Sequence, residues 1–207
     1  MITIAVANVL ESSEQTVEFI YDTSLKEGIK ALGISPKDNI IYKNNKRIRL
    51  KEYINELKQS KTIDLLLLEL NKEGLQKAIY ENIRFDIAVL FAPKMHNKKM
   101  MNNKAYFNRK ILQGIQSDFY IIPDTYQFKR AEYITYGWSK AADISASSAQ
   151  KNLEGDMNIQ CCIQNCMPSF KGEVGSPREF CIHSEGDNVE GMLAGVATML
   201  LYGINIE

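Results

Sequence analysis

The chain has 207 residues, enough for one sizeable core and, by length, one domain. Hydrophobic residues make up 45% and charged residues 24%, the balance of a soluble globular protein. Lys+Arg and Asp+Glu stand at 25 each, so no net positive field exists to hold nucleic acid or an anionic membrane, and neither is expected as a partner. The longest apolar run, around Ile63–Leu68, is strand-sized and falls well short of the roughly 20 residues that a membrane helix needs. The opening MITIAV enters an apolar strand directly and lacks the basic start of a secretory signal, so a cytoplasmic location is expected.

In chain order, Ile2–Val6 predicts a short buried strand. Val17, Ile20, Tyr21, Gly28, Ile29 and Leu32 recur at helical spacing and predict a helix over 14–32, stopped by Gly33. Ile40–Tyr42 and Arg47–Leu50 predict a hairpin turned at Asn44-Asn45, and 52–58 a helix. The continuous apolar run of residues 63–70 predicts a strand covered on both faces. A helix over 72–80, a strand over 87–91, a helix over 106–115 and a strand over 119–122 follow. This alternation predicts an α/β fold, a mostly parallel sheet flanked by helices.

The pattern then changes. Residues 133–136, 143–147, 158–164 and 179–183 predict short strands with few helices between, hence a small antiparallel lobe. Val189, Met192, Leu193, Val196 and Leu200 predict a closing amphipathic helix capped by Asp187 or Asn188. The chain thus reads as a single domain over 1–207, with a parallel lobe to residue 130, the antiparallel lobe over 131–185 and the closing helix after it. The cysteines are Cys161, Cys162, Cys166 and Cys181. Without an export signal they predict reduced thiols that act as small apolar residues. A zinc site drawing on Cys162, Cys166, Cys181 and His183 is the alternative, but the tight Cys-x-x-Cys spacing is missing.

Two stretches carry a family resemblance. One is FDIAVL (Phe85–Leu90), then His96, then AYFNRK (Ala105–Lys110). The other is TYG (Thr135–Gly137), ADISA (Ala142–Ala146) and SEGDNVEGMLAGVATMLLYGINIE (Ser184–Glu207). In order and spacing these are similar to the central, nucleotide-handling domain of the Mur ligases, in register from the first strand to the last residue. The resemblance implies the P-loop-like fold of that domain. It also implies ATP-driven amide formation through an acyl phosphate, on a muramyl-peptide precursor of the cell wall.

The family's phosphate loop, Gly-Thr-Asn-Gly-Lys-Thr/Ser, is absent. Such a loop needs glycines so that backbone N–H groups converge on phosphate, a lysine for charge, and a hydroxyl for Mg²⁺. The same place reads ANVLESSEQT (Ala7–Thr16), with neither glycine nor lysine and with Glu11 and Glu14 adding negative charge. Ser12 and Ser13 fall near the lysine and hydroxyl positions and keep only the hydroxyl chemistry; their expected work is to cap the following helix. Of the resemblance's adenine contacts Asn188 is kept, while Asp187 and Gly191 replace a histidine and an asparagine. Tight ATP binding is not expected.

The resemblance also implies a metal set. Glu69 ends LLLLEL (Leu65–Leu70), His96 keeps a histidine position, and Lys110 matches a lysine that the family carbamylates. Together they would hold one Mg²⁺. Each has an ordinary reading beside this one: Glu69 as a solvated charge, His96 as a loop residue among lysines, Lys110 as a surface lysine. The sequence therefore supports a degenerate binding or regulatory module, whose partner would be a cell-wall precursor or a complete Mur-type ligase. The alternative is a ligase subunit whose other domains come from other chains. Oligomeric state is not readable.

Overall fold

The strand β5 (Leu65–Asn71) shows why the chain folds in layers. Side chains alternate across a strand. Leu65 and Leu67 enter one core cluster, while Leu66, Leu68 and Leu70 enter another. Each face needs its own apolar cover. The computed structural model describes residues 1–8, 13–36, 40–43, 46–76, 79–91, 114–126, 132–153, 155–172 and 175–206.

The other elements are β1 (Ile2–Asn8), α1 (Glu14–Lys26), β2 (Ala31–Ile34), β3 (Ile40–Lys43), β4 (Lys46–Arg49), α2 (Leu50–Ser60) and α3 (Lys72–Gln76). They continue with β6 (Arg84–Val89), β7 (Gln116–Pro123), β8 (Glu132–Gly137), β9 (Ile144–Lys151), β10 (Met157–Ile163), β11 (Arg178–Ser184) and α4 (Val189–Tyr202). Nine strands form one sheet in the order β11-β10-β9-β8-β7-β6-β1-β5-β2, and β3 and β4 form a separate hairpin. Neighbours from β2 to β9 pair in parallel, whereas β10 runs antiparallel to both β9 and β11. This is the mainly parallel α/β sheet with a small antiparallel part that the sequence pattern predicts. Ile20 of α1 and the apolar residues of α4 cover one face, and Leu50, Ile54 and Leu57 of α2 cover the other. No helix among the described residues is long and apolar enough to cross a membrane.

Three sequence expectations need correction. The first helix ends at Lys26, not Leu32. Gly28 takes φ +69, and the N–H of Ile29 returns to the Ser24 carbonyl, 2.9 Å. A left-handed glycine closes a helix in this way. The residues beyond it become the edge strand β2, paired with β5. Second, the antiparallel part begins two strands later than expected, with β10, because β8 runs parallel to β7 and β9 to β8. It is also a continuation of the same sheet. Third, α4 is buried on every side from Gly191 to Tyr202, so it has no polar face. It packs on β6 to β9 and against α1. The helix expected over 106–115 lies almost wholly outside the described residues.

Side chains fix strand partners where the backbone ladder alone would not. Thr3, fully buried on β1, donates its N–H and hydroxyl to Asp86 of β6 at 2.7 and 2.6 Å. Thr135 and Asp143 repeat the device between β8 and the start of β9, at 2.9 and 2.8 Å. The TYG and ADISA segments therefore meet side by side, with Tyr136 beside Ile144 and Gly137 beside Ser145. Cys161 and Cys162 are buried on β10, as small apolar residues would be, but Cys166 and Cys181 are exposed. Burial, and next the neighbouring Cys162, push the Cys161 thiol up to about 12.

Two outcomes follow for solution work. Only the thiolate is nucleophilic, so iodoacetamide at about pH 8 should label Cys166 and Cys181 and spare Cys161 until the chain is denatured. Labelling of native Cys161 at a rate equal to Cys181 would contradict its burial. At the contact of α1 with α4, a Cβ on Gly195 would come within 2.6 Å of Phe19 Cδ1. Gly195→Ala is expected to lower stability by about 1–3 kcal/mol through overpacking, read as a shift in a urea unfolding curve.

Candidate functional site

Open α/β sheets gather ligands at the carboxyl ends of their parallel strands. In this sheet that edge is formed by the ends of β5, β1, β6, β7 and β8, with the first turns of α1 and α4 beside it. Glu69 stands near the end of β5, paired with Val6 of β1. Ser13 is fully buried at the head of α1, and its hydroxyl donates to Glu69 Oε1 at 2.9 Å. The expected helix cap is thus not made by Ser13: no side-chain cap bond exists there, because its hydroxyl turns to the carboxylate. Glu14, in the first turn, is exposed.

The next two residues tie α1 to α4. Gln15 Oε1 accepts the Asn188 N–H at 3.0 Å. Its carboxamide lies over Gly186 so closely that a Cβ there would fall 1.0 Å from Gln15 Nε2. Thr16 donates to the Gly191 carbonyl at 2.7 Å, a buried bond. Asn188 is the cap of α4, as one of the two expected candidates, and its Oδ1 accepts the Gly191 N–H at 3.1 Å. A Cβ on Gly191 would press on Asn188 Nδ2 at 2.4 Å and Thr16 Oγ1 at 3.2 Å. Glycine at 191 therefore serves the cap and the helix–helix bond together.

Farther along the edge, the fully buried Tyr136 donates its hydroxyl to the Leu90 carbonyl at 2.7 Å. Burial, followed by nearby Glu190, holds its phenol well above the usual range, so it stays a neutral donor. Asp124 follows β7, donates its N–H to the Tyr136 carbonyl and accepts the Ser139 N–H through Oδ2 at 2.9 Å. Gly137 leaves room for it, since a Cβ there would lie 2.4 Å from the Asp124 carboxylate.

Of the residues marked from sequence, the structure brings Ser13 and Glu69 into contact and places Asn188 beside the same helix head. Ser12, His96 and Lys110 lie outside the described residues. Among the described residues, no three His, Cys, Asp or Glu side chains gather in a group able to hold a metal. That includes Cys162, Cys166, Cys181 and His183, so the zinc alternative has no such group. Sequence reading passed over Gln15, Thr16, Tyr136 and Asp124. The paired spacing of Gly186 and Gly191, each cleared for an α1 side chain, is the one local signal that pointed to the first two.

No family model matches the chain, and no curated protein matches it. Solved structures do. One is the UDP-N-acetylmuramoylalanyl-D-glutamyl-2,6-diaminopimelate–D-alanyl-D-alanyl ligase from Acinetobacter baumannii, with TM-score 0.63 and 15% identity over 100% of this chain and 44% of its own. A second is a UDP-N-acetylmuramoyl-L-alanyl-D-glutamate–2,6-diaminopimelate ligase, with TM-score 0.62 and 14% identity over 99% of this chain and 44% of that one. E. coli FolC in complex with DHPP and ADP matches with TM-score 0.56 and 12% identity, over 100% of this chain and 54% of that one. The chain spans about half the length of these structures. At such identities the likeness is one of fold, and the fold is Mur-ligase-like.

The Ser13–Glu69 bond makes a measurable demand. Ser13→Ala should cost about 1–2 kcal/mol, in keeping with a hydrogen bond from a buried hydroxyl to a partly exposed carboxylate. In a Glu69→Gln background the same change should cost less, leaving a coupling of about 0.5 kcal/mol or more in a double-mutant cycle. Strict additivity would mean that the two side chains do not act on each other in solution.

Proposed function

We propose that this chain is a non-hydrolysing binding or regulatory module on a Mur-ligase-like fold, linked to cell-wall precursor metabolism. The observation that carries the reading is that the side chains at the head of α1 are bonded within the protein. Ser13 spends its hydroxyl on Glu69, and Gln15 spends its carboxamide on the Asn188 N–H above Gly186. A phosphate loop works the other way: it leaves backbone N–H groups converging on an empty hollow, with a lysine to balance the anion. Residues 7–16 offer no glycine or lysine, and exposed Glu14 repels negative charge. This donor set does not fit a triphosphate. The ligand would be a cell-wall precursor, or a partner protein such as a complete Mur-type ligase. Support for that class comes from the muramoyl-peptide ligases among the structural neighbours.

A second reading is a subunit of an ATP-dependent amide-forming ligase, its other domains supplied by other chains. Its support is the pair of hard oxygens, Ser13 Oγ and Glu69 Oε1, 2.9 Å apart at the ligand edge. Such oxygens suit Mg²⁺, which when bound would offset phosphate charge. Glu69 would be the anionic ligand and Ser13 the neutral one, with His96 and Lys110 completing the set that the family resemblance implies.

Calorimetry on the full chain separates the two. Mg-ATP should give no binding in the micromolar range, about 8 kcal/mol, while a UDP-muramoyl peptide should bind. Micromolar Mg-ATP affinity, lost in Glu69→Gln, would overturn the module reading in favour of the ligase subunit.

A further inference from the structure

The outermost strands of an open sheet leave a row of backbone N–H and C=O groups unpaired, and proteins usually blunt such edges. The two edges of this sheet are treated differently. β2 is only four residues long. β11 is seven residues long, pairs with β10 at every position without a bulge, and contains no proline. Among the described residues, none of Arg178–Ser184 makes a backbone–backbone hydrogen bond outside that ladder.

The side chains of this edge do not form a barrier of like charges. Phe180 and Ile182 are already buried on the α4 face, at 8% and 5% exposure, so adding a strand would extend a covered core. Glu179, Cys181 and His183 occupy the opposite face and are exposed. Reversed about Cys181, the segment REFCIHS complements itself. Glu179 falls opposite His183, Phe180 opposite Ile182, Arg178 opposite Ser184, and Cys181 opposite its own copy. His183 Nδ1 is held by Asn158 Oδ1 at 2.5 Å, which turns the other ring nitrogen away from that partner. A parallel pairing in register would instead set Glu179 against Glu179. A slip of one residue would send Phe180 and Ile182 to the wrong face.

We propose that β11 is the interface of a homodimer, in which two copies of this chain pair antiparallel about a two-fold axis through Cys181 and join their sheets edge to edge. A two-fold interface must be self-complementary, with residue i meeting j and j meeting i. Glu179 and His183 meet that condition twice across the axis, a carboxylate facing an imidazole each time, as cross-strand neighbours on one face.

The axis supplies its own probe. Opposite residues of an antiparallel pair have Cα atoms about 4.5–5.5 Å apart, within the span that a disulfide bridges. Under diamide, two Cys181 thiols would lose their hydrogens to the diazene, which becomes the hydrazine, and one S–S bond would form. The full chain should give a covalent dimer whose peptide map links Cys181 to Cys181. Cys181→Ser should abolish it, and Cys166→Ser, at the other exposed thiol, should not. By light scattering without oxidant, the wild type should be dimeric. Glu179→Lys and His183→Glu should each weaken the dimer roughly tenfold, since both pairs across the axis become unfavourable. An equimolar mixture of the two variants should recover it, because Lys then meets Glu and His meets Glu. A monomeric wild type with no Cys181 cross-link would overturn the proposal. So would a dimer that is indifferent to Glu179→Lys, or a mixture that fails to restore association.

Discussion

The segment Leu65–Leu70 has no side that can meet water. Leu65 and Leu67 lie in the core shared with α1 and α4, and Leu66, Leu68 and Leu70 lie in the core shared with α2. Each of these leucines is at most 1% exposed. A strand of this kind is stable only inside a sheet with helices on both faces, and parallel neighbours arise because the connections cross over those faces. Once the faces are filled, polar groups are left with the strand ends and the outermost strands. The candidate site and the proposed dimer edge both stand where the core cannot reach.

At the strand ends, the head of α1 meets a second constraint. The first N–H groups of a helix have no partner inside the helix and attract an anion or a cap. An open nucleotide site leaves them to the ligand. Here it is the side chains at the helix head, not those N–H groups, that bond within the protein: Ser13 to Glu69, Thr16 to the Gly191 carbonyl, and Gln15 to the Asn188 N–H. These bonds fasten α1 to both β5 and α4, and α4 is itself buried along the central strands. Opening the helix head for phosphate would therefore loosen a helix pair as well as break single bonds. The absence of lysine and glycine in residues 7–16 and the engagement of these three side chains agree with each other.

Much of the fold was legible because apolar runs announce strands whatever they pair with. Residues 2–6 and 119–122 fall wholly on strands, and most of 63–70 and of 87–91 does. β2 was hidden because Ile29 and Leu32 also fit the helical period of α1, and only the left-handed turn at Gly28 separates the two. The direction of β8 is a property of its connection, not of EYITYG, so the residues carried no sign of it. The burial of α4 was half legible: VEGMLAGVATMLLY has almost no polar side, and its one mid-helix hydroxyl, Thr198, bonds back to the Ala194 carbonyl at 2.7 Å. The site was less legible still. Ser13 and Glu69 are 56 residues apart, and Gln15 and Asn188 are 173 apart. Such contacts depend on the register of β1 against β5 and on where α4 lands, and neither is written in local spacing.

The two polar regions are separable by distance. β11 lies six strand spacings from β1 in the sheet order, roughly 29 Å at the usual interval between strands. Pairing through β11 would thus leave Ser13, Glu69 and Gln15 of each copy far from the axis. Neither protomer would complete or cover the other's strand ends. A dimer of this geometry offers two independent copies of the same surface, and a bivalent partner or an extended polymer gains effective concentration from such an arrangement without any new contact. Changes at Glu179 or His183 would then alter avidity for a multivalent target and leave the affinity of each site unchanged. Changes at Glu69 would do the reverse.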